Sequence, residues 1–318
     1  MNGRVYTSRV PAAAVEEHME VALAGAEHSM PPLVCRWPRT AAPRGFVVFC
    51  HGLGASGRDY AGLSRLWASH GYLVIHPTFP DSIATVARNE PTLGLGAADD
   101  PGEWMKDERL RAHMHGLLHT PRYWLERIRI VGAVMDRLPT ILDATCGQPV
   151  ATLPGAIAGH SFGAYTAQLL AGATIDLPGK GPRHFRDDRF AAAILLSAQG
   201  RDQQGLRDGS WDGISGPMLN VTGTRDGGAG GQDWHWKVEP YHLAPPGRKY
   251  LAVIEDGDHY LGGIARPGQS SVPAHREIVE QVTLAFLDLH LAGDEQARTW
   301  LDAMARQVVE PLRLFEQK

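Results

Sequence analysis

The sequence predicts an α/β protein with a mostly parallel central sheet and helices on both of its faces. Three observations lead there. Short apolar runs alternate with longer segments whose apolar residues recur at helical spacing, the rhythm of strands buried on both sides. A chain of 318 residues that is 43% hydrophobic and 21% charged can build one sizeable core. Gly159-His160-Ser161-Phe162-Gly163 lies between an apolar run and a helix-forming run, where a tight strand-to-helix turn belongs.

The elements follow in order. Met19 to Ala24 and Leu33 to Trp37 would supply antiparallel edge strands. Phe46-Val47-Val48-Phe49-Cys50 is the first strong buried strand. Arg58 to His70 is amphipathic through Leu63, Leu66 and Trp67, and Tyr72 to Ile75 is a strand stopped by Pro77. Tyr123 to Leu142 keeps helical periodicity through Leu125, Ile128, Val131, Val134, Met135 and Leu138. Gly155 to Ala158 reads as a strand and Ala164 to Ala171 as a helix. Ala191 to Leu196, Met218 to Val221 and Tyr250 to Ile254 are the later strands. Ile278 to Leu291 and Gln296 to Val309 are the last helices.

Ser82 to Thr120 breaks the rhythm, being poor in long apolar runs and rich in Gly, Asp, Arg and His. Stretches of such length are usually functional or irregular, so residues 82–120 are either a small cap over the site or an irregular insertion. No linker rich in Pro, Gly or Ser divides the chain, and residues 1–318 are expected to form a single domain.

Composition excludes several classes. A net charge of −4 with both signs interspersed argues against a nucleic-acid surface. No apolar run approaches a membrane span, and Met1 to Val21 lacks the pattern of a signal peptide, so a cytoplasmic location is expected. Cys35, Cys50 and Cys146 are widely spaced and odd in number, which fits buried apolar positions better than disulfides or a zinc site.

A serine is a weak nucleophile near neutral pH and needs a base, itself oriented by a third group. For a nucleophile at Ser161 the template order is serine, then acid, then histidine. Asp226 leaves the strand ending at Val221 and fits the acid, with Asp202, Asp233 and Asp258 as rivals. His259 follows the last strong strand and fits the base. Acyl transfer also creates an oxyanion that two backbone N–H groups must meet. Phe162, after the nucleophile, and Leu53, in His51-Gly52-Leu53-Gly54-Ala55, are the expected donors. His51 reads as a brace under that loop.

With these segments placed, the chain resembles the α/β-hydrolase serine esterases. More narrowly it is similar to the dienelactone-hydrolase-like group and the platelet-activating-factor acetylhydrolases. The closer likeness rests on His51 to Ala55, Ala68-Ser69-His70-Gly71-Tyr72 and Gly159 to Gly163, within a span from about Leu33 to Leu291. The resemblance implies the α/β-hydrolase fold and a cofactor-free esterase mechanism. Ser161 would be nucleophile, Asp226 acid, His259 base, and Leu53 and Phe162 oxyanion donors. Dienelactone hydrolases use cysteine where this chain has serine, which sets their substrate aside.

Other features carry less. His113, His115 and His119 share no metal-ligand pattern with a Cys or carboxylate, so no metal is expected. Trp234, Trp236 and Tyr241 follow the acid loop and would either line a substrate pocket or pack in the core. Gly227 to Gly231 is no phosphate loop and would give mobility beside the site. The expected substrate is a small-molecule carboxylic ester. An acyltransferase, a lactone, thioester or amide hydrolase, or a silent binding protein of the same fold are the alternatives.

Overall fold

The computed structural model describes residues 5–21, 32–95, 103–147, 153–265, 271–307 and 309–318. Its centre is a nine-stranded sheet. In chain order the first strands are β1 (Val15–Val21), β2 (Leu33–Pro38), β3 (Gly45–Cys50), β4 (Tyr72–His76) and β5 (Gly155–His160). A separate hairpin of β6 (Thr174–Leu177) and β7 (Gly181–His184) comes next. The sheet is completed by β8 (Phe190–Leu196), β9 (Met218–Gly223), β10 (Lys249–Ile254) and β11 (Leu312–Gln317). The order across it is β1-β2-β4-β3-β5-β8-β9-β10-β11. The strands from β4 to β10 are mutually parallel, while β1, β2 and β11 form antiparallel edges.

Strand periodicity divides the core into two layers. Val47 and Phe49 face a cluster with Leu63 and Trp67 of α1 (Ala61–Ser69) and with Val279, Val282 and Phe286 of α8 (Pro273–His290). Phe46, Val48 and Cys50 face the other cluster. That layer holds α4 (Pro121–Asp136), α5 (Leu138–Cys146) and α6 (Phe162–Ala171), with α7 (Trp234–Leu243) beside β9 and β10. Cys35 and Cys50 are buried and unpaired, and burial pushes both thiols up to about 12.

The expected strands are present, and the differences have local causes. The helix expected over Tyr123 to Leu142 is two, because Pro139 offers no N–H to continue α4 and instead opens α5. The last helix, α9 (Glu295–Met304), stops short of Val309, and the chain returns as the unforeseen edge strand β11. The first edge strand starts earlier, at Val15, and residues 22–24 lie outside the described set. The excursion is helical where described. It carries α2 (Ile83–Asn89), α3 (Glu108–Leu118) and 3-10 turns at Pro91–Leu93 and Glu103–Met105. Ile83, Val86, Trp104, Met114 and Leu117 give it an apolar cluster of its own.

The first helical layer is anchored by Asp288 of α8, fully buried, which accepts the hydroxyls of Tyr6 and Tyr72 at 2.7 Å each and pairs with Arg44. Asp288→Ala strands a cation and two phenols, and should lower the unfolding free energy in urea by about 3 kcal/mol. Glu20→Gln, which removes an exposed partner of Arg58, should change it by less than about 0.5 kcal/mol.

Candidate active site

At the end of β5 the chain reverses at Ser161, which takes φ 55° and ψ −120°. Such a backbone strains a non-glycine residue by about 1–3 kcal/mol and is found where surrounding structure enforces it. The glycines on either side are a steric requirement. A Cβ on Gly159 would lie 2.2 Å from the Gly163 backbone, and one on Gly163 1.9 Å from the Cys50 carbonyl oxygen. Ser161 N–H donates to Leu196 O at 2.9 Å, which fixes the turn against β8.

The loops after β9 and β10 are tied to each other. Thr224 N–H donates to Ile254 O and Arg225 N–H to Gly257 O, both at 2.9 Å. A Cβ on Gly223 would stand 2.2 Å from Gly257 O, so glycine there lets the two backbones touch. This contact brings Asp226 to His259, with Oδ1 2.9 Å from Nδ1. The other Asp226 oxygen accepts the Thr222 hydroxyl at 2.8 Å. Ser197, at φ 56° just past β8, sets its Oγ 2.8 Å from the same Nδ1. With Nδ1 donating to the carboxylate, Nε2 is the nitrogen left to accept a proton.

Asp226 is fully buried. Burial alone would raise its carboxyl, but the charges of Lys237 and His259, with hydrogen bonds from His259 and Ser197, hold it well below the usual carboxylate range. The rival aspartates lie elsewhere. Asp233 caps α7, Asp258 accepts the Tyr260 N–H at 3.0 Å, and exposed Asp202 sits in a loop closed by its own N–H to Leu206 O.

Ser161 and His259 line one cavity of about 310 Å³. Among the described residues the Ser161 hydroxyl has no hydrogen-bond partner, so the two side chains share a wall without a closed contact. Unliganded sites often show such open geometry and tighten around substrate. Leu53, Trp104, Met105 and Leu118 bring apolar surface to the cavity, and Gln199, Gln203 and Lys237 bring polar groups. The excursion thus reaches the cavity through Trp104, Met105, His115 and Leu118. Tyr260 extends its hydroxyl to Met105 Sδ at 3.2 Å. Gly227, Gly228 and Ala229 also line it.

Three amides of the loop after β3 have acceptors. Gly52 N–H donates to Tyr60 Oη at 3.0 Å, Gly54 N–H to Asp81 O at 3.1 Å and Ala55 N–H to Gly52 O at 3.2 Å. Among the described residues Leu53 N–H has no acceptor, nor has Phe162 N–H in the first turn of α6. The loop rests on Arg127, which is fully buried in α4. Its guanidinium grips Asp81 at 3.0 and 2.6 Å, donates to His51 O at 2.8 Å and lies between the rings of Phe79 and Phe162. His51 accepts Phe79 N–H at 2.8 Å and donates to Gly52 O at 2.7 Å, the brace expected of it. Burial and the Arg127 charge push its imidazole down to about 4, so it is neutral. His160 is likewise neutral, pushed down to about 3 by burial and His259. It links Tyr60 Oη at 3.0 Å to the His259 carbonyl at 2.7 Å.

Of the three aromatic candidates only Trp236 lines the cavity. Tyr241 is buried with Val238, Leu251 and Val253 on the sheet side of α7, and Trp234 packs on that cluster and stacks on His235. A helix over Trp234–Leu243 turns those two side chains away. His113 lies 3.3 Å from Glu90, and His115 lies edge-on to Trp104.

Sequence reasoning missed Ser197, Lys237, Tyr60 and the Arg127–Asp81 pair. Arg127 left a trace, a charge set in the buried stripe of Trp124, Val131 and Val134. The others left none. No protein-family model and no curated protein matches this chain. Among the described residues no helix is long and apolar enough to cross a membrane.

The close approach at the turn gives a direct test. Gly163→Ala should lose at least about 3 kcal/mol of stability in chemical denaturation through overpacking. Gly132→Ala, on α4 with open space around its Cβ position, should be neutral or stabilising by about 0.5–1 kcal/mol.

Proposed function

We propose that this protein is a serine hydrolase of the α/β-hydrolase fold that cleaves carboxylic esters through an acyl-enzyme. The observation that carries the reading is the 2.9 Å contact of buried Asp226 with His259, which lines the same cavity as Ser161. The parallel run β4-β3-β5-β8-β9-β10 supports it too, with the serine after β5, the acid after β9 and the histidine after β10.

In this mechanism His259 Nε2 takes the Ser161 proton as Oγ bonds to the ester carbonyl carbon. Asp226 stabilises the imidazolium that forms. The carbonyl oxygen becomes an oxyanion and receives the N–H groups of Leu53 and Phe162, aided by the N-terminal dipole of α6. The C–O bond to the alcohol then breaks, and the departing oxygen takes the proton from Nε2. Water repeats the sequence: Nε2 takes its proton, its oxygen attacks the acyl carbon, and the acid leaves with Ser161 restored. A cavity of about 310 Å³ favours short acyl groups, with Leu53 and the excursion supplying apolar contact.

Ser161→Ala should abolish turnover of a short p-nitrophenyl ester while circular dichroism shows the fold intact. Turnover near the wild-type rate would refute the nucleophile. Asp226→Asn should lower kcat about 10⁴-fold by leaving the imidazole in the wrong tautomer. If Asp202→Asn loses activity and Asp226→Asn keeps it, the acid is Asp202.

A further inference from the structure

Lys237 is a second cation on the carboxylate that orients His259. It is 2% exposed, and its ammonium lies 3.8 Å from Asp226 Oδ1, the oxygen that also meets His259. It donates to the Ser197 carbonyl at 3.3 Å and stands 5.1 Å from the centre of the Trp236 ring. Its backbone is held as well, since Asn220 Nδ2 donates to Lys237 O at 2.9 Å. A lysine is rarely buried unless paired, and this one is paired with the single negative charge that the proposed mechanism uses.

We propose that Lys237 is a positioning residue that holds the Asp226 carboxylate and shares its charge with His259, so that the site keeps its base available at a lower pH. The inference rests on the serine hydrolase reading. Without Lys237, protonating His259 would turn an isolated buried carboxylate into a neutral pair. With Lys237 in place, the same proton makes a cluster of two cations and one anion, which is less favourable in a buried setting. A variant without Lys237 should therefore hold the imidazolium form more tightly.

The other groups around this cluster do not supply that effect. His160, at the end of β5, is neutral and spends its Nε2 on the His259 carbonyl. Tyr60 reaches the cluster through His160. Asp258 and Tyr260 flank His259 and bond to each other through Asp258 Oδ1 and Tyr260 N–H. The Ser197 and Thr222 side chains are uncharged, and Glu239 of α7 is taken by Arg201 at 2.8 Å. Burial lowers the Lys237 ammonium from the usual lysine range, and Asp226 opposes that.

The test is the pH dependence of Ser161 labelling by a fluorophosphonate, which reports the free base without a natural substrate. Wild-type protein is measured first, and failure to label Ser161 there defeats the hydrolase reading itself. Given labelling, Lys237→Met and Lys237→Gln should each move the acidic limb of the rate upward by about one pH unit or more. A folded variant of either kind whose limb stays within about 0.2 unit of wild type leaves Lys237 a purely structural residue and overturns the proposal. Nitrogen NMR of the wild-type Lys237 Nζ gives a reading that needs no variant. It should show an ammonium across the pH range of the limb, with a shift that steps as His259 titrates. A neutral amine, or a signal blind to that titration, overturns the proposal as well.

Discussion

Helix α6 begins so close to the end of β3 that no side chain fits between them. The Gly163 backbone lies against the Cys50 carbonyl, where even a methyl group would stand 1.9 Å from oxygen. That contact sets the rest of the site. It accompanies the reversal at Ser161 and sets the first turn of α6 against the Cys50 and His51 carbonyls. The strain at Ser161 persists because β5, β8 and α6 are each held by their own burial.

Around this contact the protein has built polar supports within an apolar interior. Arg127 and Asp81 are both fully buried, and together they hold the loop after β3 from below. Tyr60 and His160 span from Gly52 N–H to the His259 carbonyl, tying the loop, the turn and the histidine segment into one hydrogen-bonded chain. Ser197, Thr222 and Lys237 surround Asp226 on the other side. Buried polar groups of this kind are tolerated only when their partners are present, and so they fix geometry more than they add stability. Among the described residues these supports leave the Leu53 and Phe162 amides and the Ser161 hydroxyl without partners, and Leu53, Ser161 and His259 line the cavity.

Much of this was legible in the sequence. Phe46 to Cys50, Tyr72 to Ile75 and Tyr250 to Ile254 are strands apolar on both faces, and their shortness and their β-branched and aromatic residues mark such segments in a sequence. Chain order after the strands singles out Asp226 and His259, and their side chains lie 2.9 Å apart. Other features depended on neighbours distant in the chain. The Leu312–Gln317 edge strand is short and weakly alternating, and pairing with β10 is what makes it a strand. The β6–β7 hairpin carries a Pro-Gly turn signal at Pro178-Gly179. Trp234 and Tyr241 turned to the sheet because α7 forms there, and a helix with little amphipathic pattern is hard to read from its residues. Lys237 looks like any surface lysine until Asp226 is placed beside it.

The proposed mechanism requires an acyl-like group to settle on Ser161 against two backbone amides. A crystal structure of the protein after reaction with a small alkyl fluorophosphonate measures this most directly. Phosphorus should be bonded to Ser161 Oγ, with its oxygen about 3 Å from the N–H groups of both Leu53 and Phe162 and His259 Nε2 turned to the same centre. Phosphorus on another residue, or an oxygen directed away from both amides, would contradict it.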